Sequence, residues 1–257
     1  MKTILIGDTH GRDTWKQIVA QEQDADRIVF IGDYFDSFDI PGVVQLQNFL
    51  DIVEFKKTSD KEVVLLFGNH DYHYMPGFTG IGYSGYQAGI AYQFRNAISQ
   101  NLEHLQMAYL FDDILCSHAG IGMEWVERHF GKVGDESSHN VNTSTLEGVQ
   151  ALVDLINEHF KFKPGIFEFS GWNPYGDSTS QTPIWIRPAS LMKTNKGTTL
   201  KETVKQVVGH THVKSIPDML KEVAKNAGSR YFYIDVLDDT TGYLICQDGE
   251  MLAGEVK

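Results

Sequence analysis

Five short apolar runs in this 257-residue chain each end in residues able to bind a cation, and that recurrence constrains the fold more than any other feature. Thr3-Ile4-Leu5-Ile6 runs into Gly7-Asp8, Ile28 to Ile31 into Gly32-Asp33, and Val63 to Phe67 into Gly68-Asn69-His70-Asp71. Ile114 to Ser117 leads into His118, and Lys205 to Val208 into Gly209-His210. Runs of about four to eight β-branched and apolar residues bounded by glycine read as buried strands. Between them, Val43, Leu46, Leu50 and Val53 recur at helical spacing and predict one apolar helix face. Strand alternating with helix implies an α/β fold whose ligands sit at the carboxyl ends of the strands.

The second half repeats the theme with more hairpins. Met107 to Phe111 and Ile114 to Ser117 flank Asp112-Asp113, a hairpin turn. Ser144 followed by Glu147 reads as a capping box opening a helix whose face is Leu146, Val149, Val153, Ile156 and Phe160. Tyr231 to Val236 and Tyr243 to Gln247 read as two closing antiparallel strands. Pro76 to Gly89, rich in glycine and tyrosine, and Phe169 to Pro188, rich in Ser, Thr, Pro and Trp, read as long loops of the kind that often carry function. No low-complexity linker divides the chain, so residues 1–257 are expected to form one domain.

The net charge of −12 argues against a broad nucleic-acid surface, which needs clustered Lys and Arg to displace counterions. The two cysteines, Cys116 and Cys246, lie in apolar runs and read as buried reduced thiols. Met1-Lys2-Thr3 passes directly into a strand, and no apolar stretch approaches the roughly 20 residues needed to cross a bilayer. A cytoplasmic location without membrane partners is the expectation.

Strand ends along one edge of a sheet converge in space even when they are distant in sequence. Asp8-x-His10, Asp33, Asn69-His70, His118 and His210-x-His212 would then meet at one rim. Any one of these reads alone as a turn or a surface histidine; the ordered set reads as a metal centre. Mixed nitrogen and oxygen ligation without thiolate suits Mn, Fe, Zn or Co better than Mg.

Taken together, Gly7-Asp8-Thr9-His10-Gly11, Gly32-Asp33-Tyr34-Phe35-Asp36, Gly68-Asn69-His70-Asp71, Ser117-His118-Ala119-Gly120 and Gly209-His210-Thr211-His212 resemble the signature of the calcineurin-like metallophosphoesterases. The opening block, His-Ala-Gly and Ile184-Trp185-Ile186-Arg187-Pro188 look most like the branch holding serine/threonine protein phosphatases and symmetrical dinucleoside tetraphosphatases. The resemblance implies an αββα sandwich of two mixed sheets flanked by helices. It implies two divalent cations, with Mn favoured: one on Asp8, His10, Asp33 and His212, the other on Asp33, Asn69, His118 and His210. A bridging hydroxide would attack phosphorus, His70 would be the general acid, and Asp36 would hold its imidazole. Asn69 would also face the substrate.

The chain departs from the protein phosphatase pattern at two positions. Ser37 stands where the family usually carries a phosphate-gripping arginine, and His212 is more typical of the wider superfamily. Arg187, with a planar fork suited to two phosphate oxygens, is the candidate replacement clamp. Tyr83, Tyr86, Trp172 and Tyr175 either stack on a substrate or pack the loops down. The expected activity is hydrolysis of phosphate monoesters, on phosphoproteins or small phosphorylated molecules. Dinucleoside polyphosphate or phosphodiester hydrolysis by the same centre is the alternative, and a non-catalytic metal-stabilised module is a third. His70 and Asp36 count against the last, because a scaffold has no use for a general acid.

Overall fold

Alternation of side chains along the strands decides what each face of the sheets touches. In the computed structural model, which describes residues 1–78, 83–131, 141–170, 177–198, 200, 202, 204–226 and 229–257, β1 (Lys2–Ile6), β2 (Arg27–Phe30) and β3 (Glu62–Leu66) are parallel neighbours. Leu5, Val29, Val64 and Leu66 point one way and pack against Cys116, Val207, Phe232 and Ile234 of a second sheet. Ile4, Ile6, Ile28, Phe30, Val63 and Leu65 point the other way, onto Trp15 and Ile18 of α1 (Thr14–Gln21) and Phe49, Ile52 and Val53 of α2 (Gly42–Thr58). Sheets buried on both faces explain why these strands read as continuous apolar runs.

The first sheet is completed by β4 (Leu105–Gln106), β9 (Gly242–Gln247) and β10 (Glu250–Glu255), in the order β10-β9-β1-β2-β3-β4. The second contains β5 (Ala108–Phe111), β6 (Ile114–Ser117), β7 (Lys205–His212) and β8 (Tyr231–Asp235), in sequential order. Its outer side is covered by α3 (Leu146–Phe162), where Asn157 accepts from Met107 and Ala108 N–H and donates to the Ala108 carbonyl. The result is the expected αββα sandwich of mixed sheets. Each sheet has a parallel triplet, β1-β2-β3 and β6-β7-β8, and the ends of these six strands form one rim.

Three expectations need correction. The two strands read as closing antiparallel strands lie in different sheets: β8 runs parallel to β7, whereas β9 is antiparallel to β1 and β10. The helix cap is Thr145 rather than Ser144, because the Thr145 hydroxyl accepts from Gly148 N–H while Ser144 bonds Asn142. In α2, Val43 is 66% exposed and the buried face instead runs through Gln45, Asn48, Phe49, Ile52 and Val53.

That rotation has a polar cause. Asn48 accepts from Trp15 Nε1 at 2.9 Å and donates to the Arg12 carbonyl at 3.1 Å. Gln45, fully buried, donates to the Ile40 carbonyl at 2.6 Å and accepts from Ser37 N–H at 3.3 Å. The helix turns amides inward to hold the loop after β2, which an apolar count cannot detect. Gln45→Leu would strand these backbone groups, so urea unfolding should show a loss of about 1–3 kcal/mol. A change below about 0.5 kcal/mol, within the range of ordinary surface substitutions, would show the amide to be dispensable.

Candidate active site

Strained backbone marks the rim. His10, Asp33, Asp36 and His210 all adopt left-handed φ, between 43° and 67°, although none is glycine. Such conformations cost free energy and persist where surrounding bonds over-determine them. Here the His10 N–H donates to the Asp33 carbonyl at 2.8 Å, and the His210 N–H donates to Asp8 Oδ2 at 2.9 Å, linking the two sheets. Two glycines make room for the carboxylates: a Cβ at Gly68 would overlap Asp33 Oδ1, and one at Gly209 would overlap Asp8 Oδ1.

Backbone carbonyls fix the histidine tautomers. His10 Nδ1 donates to the Phe35 carbonyl at 2.5 Å, and His118 Nδ1 to the Ile31 carbonyl at 3.0 Å. His210 uses its other nitrogen, Nε2, on the Trp185 carbonyl at 3.2 Å. Each ring therefore turns its remaining lone pair inward. His118 Nε2 lies 2.9 Å and His210 Nδ1 2.8 Å from Asn69 Oδ1, and His118 Nε2 is 3.3 Å from Asp33 Oδ2. With both rings neutral, lone pairs meet lone pairs, and only a proton or a cation can sit between them. Asp8 Oδ1 is buried without any hydrogen-bond partner. This donor set fits cations: acceptors within about 3 Å of one another are tolerable only around shared positive charge.

The electrostatics point the same way. Burial works against ionisation of Asp33, but His118 and His70 outweigh it and hold the carboxyl well below its usual range. Asp8 is pushed well above that range by burial first, then by Asp235 and Asp33. Burial, then His118 and Arg187, keeps His210 neutral, which is the state a ligand needs.

His70 sits beside this cluster. Its Nδ1 lies 2.9 Å from Asp36 Oδ2, and its N–H donates to Asp33 Oδ1 at 2.8 Å. Burial disfavours its charged form, yet Asp33 and Asp36 reverse that and push the imidazole up to about 9. Asp36 is itself held below its usual range, because hydrogen bonds from His70 and His73 exceed the cost of burial. His70, with Asp8, His10, Asp33, Asn69 and His210, lines a cavity of about 520 Å³ walled by Tyr83, Phe169, Trp185 and Arg187. Arg187 Nη1 donates to the His210 carbonyl at 2.8 Å, so it also pins the β7 terminus. Tyr83 and Phe169 both meet Trp185 edge-on, while Tyr86 stacks on Tyr74. Trp172 and Tyr175 lie outside the described residues.

The calcineurin-like phosphoesterase family matches residues 1–214. The chain belongs to that family. Among curated proteins, none matches by sequence. Among solved structures, the cold-active protein-tyrosine phosphatase of a psychrophilic Shewanella species is similar in fold, with 19% identity, 99% of this chain and 78% of that chain covered, and a TM-score of 0.61. A protein serine/threonine phosphatase from Saccharomyces cerevisiae aligns at 14% identity over 100% of this chain and 80% of that one, with a TM-score of 0.53. The chain is thus a hydrolase of phosphoric esters, with candidate metal-binding clusters at its rim. Among the described residues, no helix of this phosphoesterase is long and apolar enough to cross a membrane.

Two expected ligands do not line the cavity: His118 is fully buried against Asn69 and Asp33, and His212 stands at the surface. His212 is about half exposed, and its Nε2 pairs with Asp239 Oδ2 at 3.1 Å. Asp235, the last residue of β8, is buried and lines the cavity instead. The strand-end pattern Tyr231-Phe232-Tyr233-Ile234-Asp235 carried that signal, and sequence reasoning passed over it. Ser37 staples its own loop, donating to Asp39 Oδ1 at 2.5 Å. Asp71 was also missed. Its carboxylate accepts from the N–H groups of Asp33 at 2.9 Å, Tyr34 at 2.7 Å and Gly68 at 2.9 Å, tying the β2 and β3 termini together. Asp71→Asn turns an NH2 toward at least one of these donors. It should cost about 1–3 kcal/mol in unfolding and weaken divalent-cation binding about tenfold to a hundredfold by calorimetry. Unchanged values in both would mean that the carboxylate is not the tie.

Proposed function

We propose that this phosphoesterase is a two-cation phosphomonoesterase in which His70 is the general acid. The observation that carries the reading is the convergence of His118 Nε2 and His210 Nδ1 on Asn69 Oδ1, beside the His70–Asp36 pair. Asp8, His10 and Asp33 would hold one cation, and Asp33, Asn69, His118 and His210 the other. Mn suits this nitrogen and oxygen set, with Fe, Zn or Co as substitutes. His212 joins only if it leaves Asp239. When bound, such a pair supplies hydroxide near neutral pH and positive charge for the phosphoryl oxygens.

The chain's own residues supply the rest. Paired with the Asp36 carboxylate, the His70 imidazole can carry protons on both nitrogens. His70 Nδ1 keeps its proton on Asp36, and Nε2 gives its proton to the departing oxygen, so the alcohol leaves neutral. Arg187 on the cavity wall grips the phosphate where Ser37 cannot, and a monoester dianion gains most from that cation. The overall negative charge disfavours polymeric nucleic acid as the substrate. A second reading, a dinucleotide polyphosphate or other diester, draws support from the aromatic wall of Tyr83, Phe169 and Trp185.

Chelation should abolish turnover, and Mn should restore it better than Mg. Asp33→Ala should empty both cation sites. His70→Ala should keep both cations yet lose roughly 10²–10⁴-fold in kcat. Elemental analysis finding His70→Ala empty would make His70 a ligand, and full activity after metal stripping would end the reading.

Arg187→Ala should lower kcat/KM for an aryl monoester by about 2–4 kcal/mol, and less for the matching diester. Arg187→Lys should recover only part, since an ammonium lacks the fork. Cation content measured alongside separates phosphate grip from loosening of the His210 turn. If both substrates stay within about a factor of two, the arginine belongs to loop packing.

A further inference from the structure

Asp36 does not face His70 alone. His73 is fully buried, and the Tyr83 N–H donates to its Nδ1 at 3.0 Å. With Nδ1 accepting, the ring proton of neutral His73 sits on Nε2. That nitrogen lies 2.6 Å from Asp36 Oδ2, although off the line of an ideal hydrogen bond. On the other carboxylate oxygen, Tyr74 Oη donates at 2.6 Å, and Tyr74 itself accepts from Gln87 N–H. The His73 ring also stacks on Tyr83 at 5.1 Å, and the Tyr83 ring forms part of the cavity wall. Asp36, already in a left-handed backbone conformation, is thus held from three sides.

We propose that His73 is a positioning residue for the acid step, holding Asp36 Oδ2 so that His70 Nε2 points at the leaving oxygen. Through its bond to Tyr83 N–H, it ties that aim to the wall against which the substrate rests. The proposal rests on His70 acting as the acid. Asp36, His70 and His73 also stand close enough to hold a cation, and the test separates that possibility.

The experiment compares phenyl with p-nitrophenyl esters on the Mn-loaded full chain, as monoesters or as the matching diesters, whichever the unmodified protein turns over. A poor leaving group needs the acid and a good one hardly does, so a loss of aim is selective where a loss of fold is not. His73→Leu should lower kcat on the phenyl ester about tenfold to a hundredfold, with KM and a content of two cations unchanged. Its effect on the p-nitrophenyl ester should stay within about threefold, since that reaction draws little on the acid. His73→Gln, whose amide N–H can replace Nε2–H, should return most of the phenyl activity. In a His70→Ala background, His73→Leu should cost nothing further.

Equal losses on both esters, Gln no better than Leu, or three cations per chain would overturn the proposal. Should His73→Leu not fold, His73→Asn takes its place, with an amide too short to reach Asp36 and the same selective loss expected. An unmodified protein inactive on every ester would sink the proposed function, but not this contact. In the zinc-loaded protein, the His70 Nδ1 proton resonance should then shift in the Leu variant and hold in the Gln variant. No shift in either would overturn it.

Discussion

Too many electron pairs point at one place. Asp8, Asp33, Asn69, His118 and His210 present acceptors to one another across the rim, with Asp8 Oδ1 left without a donor. Buried acceptors without protons are among the costliest arrangements a fold can hold. The backbone enforces it: carbonyls of Phe35, Ile31 and Trp185 each take a ring N–H that would otherwise relieve the crowding. The sandwich is therefore organised around shared positive charge, a proton on an imidazole or a bound cation, and cation binding satisfies more of these acceptors at once than a proton does.

Holding such a rim takes ties at every strand end. Asp71 gathers three N–H groups from two loops, Gln45 and Asn48 reach up from α2, and His210 N–H reaches across the sheets to Asp8. These buried polar groups add little net stability compared with apolar packing. What they do is restrict the loops to one conformation, including the left-handed residues His10, Asp33, Asp36 and His210. The core supplies stability, and the polar ties convert it into position.

The His70 side of the site is built by a different device. His70 is placed by a short helix, Asn69–Tyr72, that opens directly from β3, so the proposed ligand Asn69 and the proposed acid His70 are adjacent in sequence and cannot drift apart. Its orientation, by contrast, is imposed from Asp36 on the loop after β2 and from the residues behind it. The place of the His70 imidazole beside Asn69 is thus a local property, and its direction is a tertiary one.

The same division separates what the sequence alone determined from what required the fold. Apolar runs ending in Asp, Asn or His identified five strands and the rim they share, because strand ends are marked locally and parallel strands bring them to one edge. The family followed from those blocks. Which histidines face inward did not follow, since His210 and His212 look equivalent in sequence; Asp239 draws one outward while Trp185 and Asn69 seat the other. Asp235 was marked by its own strand end, whereas Asp71 and His73 were equally hidden, as was the amide-lined face of α2. Each is defined by donors and acceptors contributed from distant segments, and such pairing exists only once the sheets have packed.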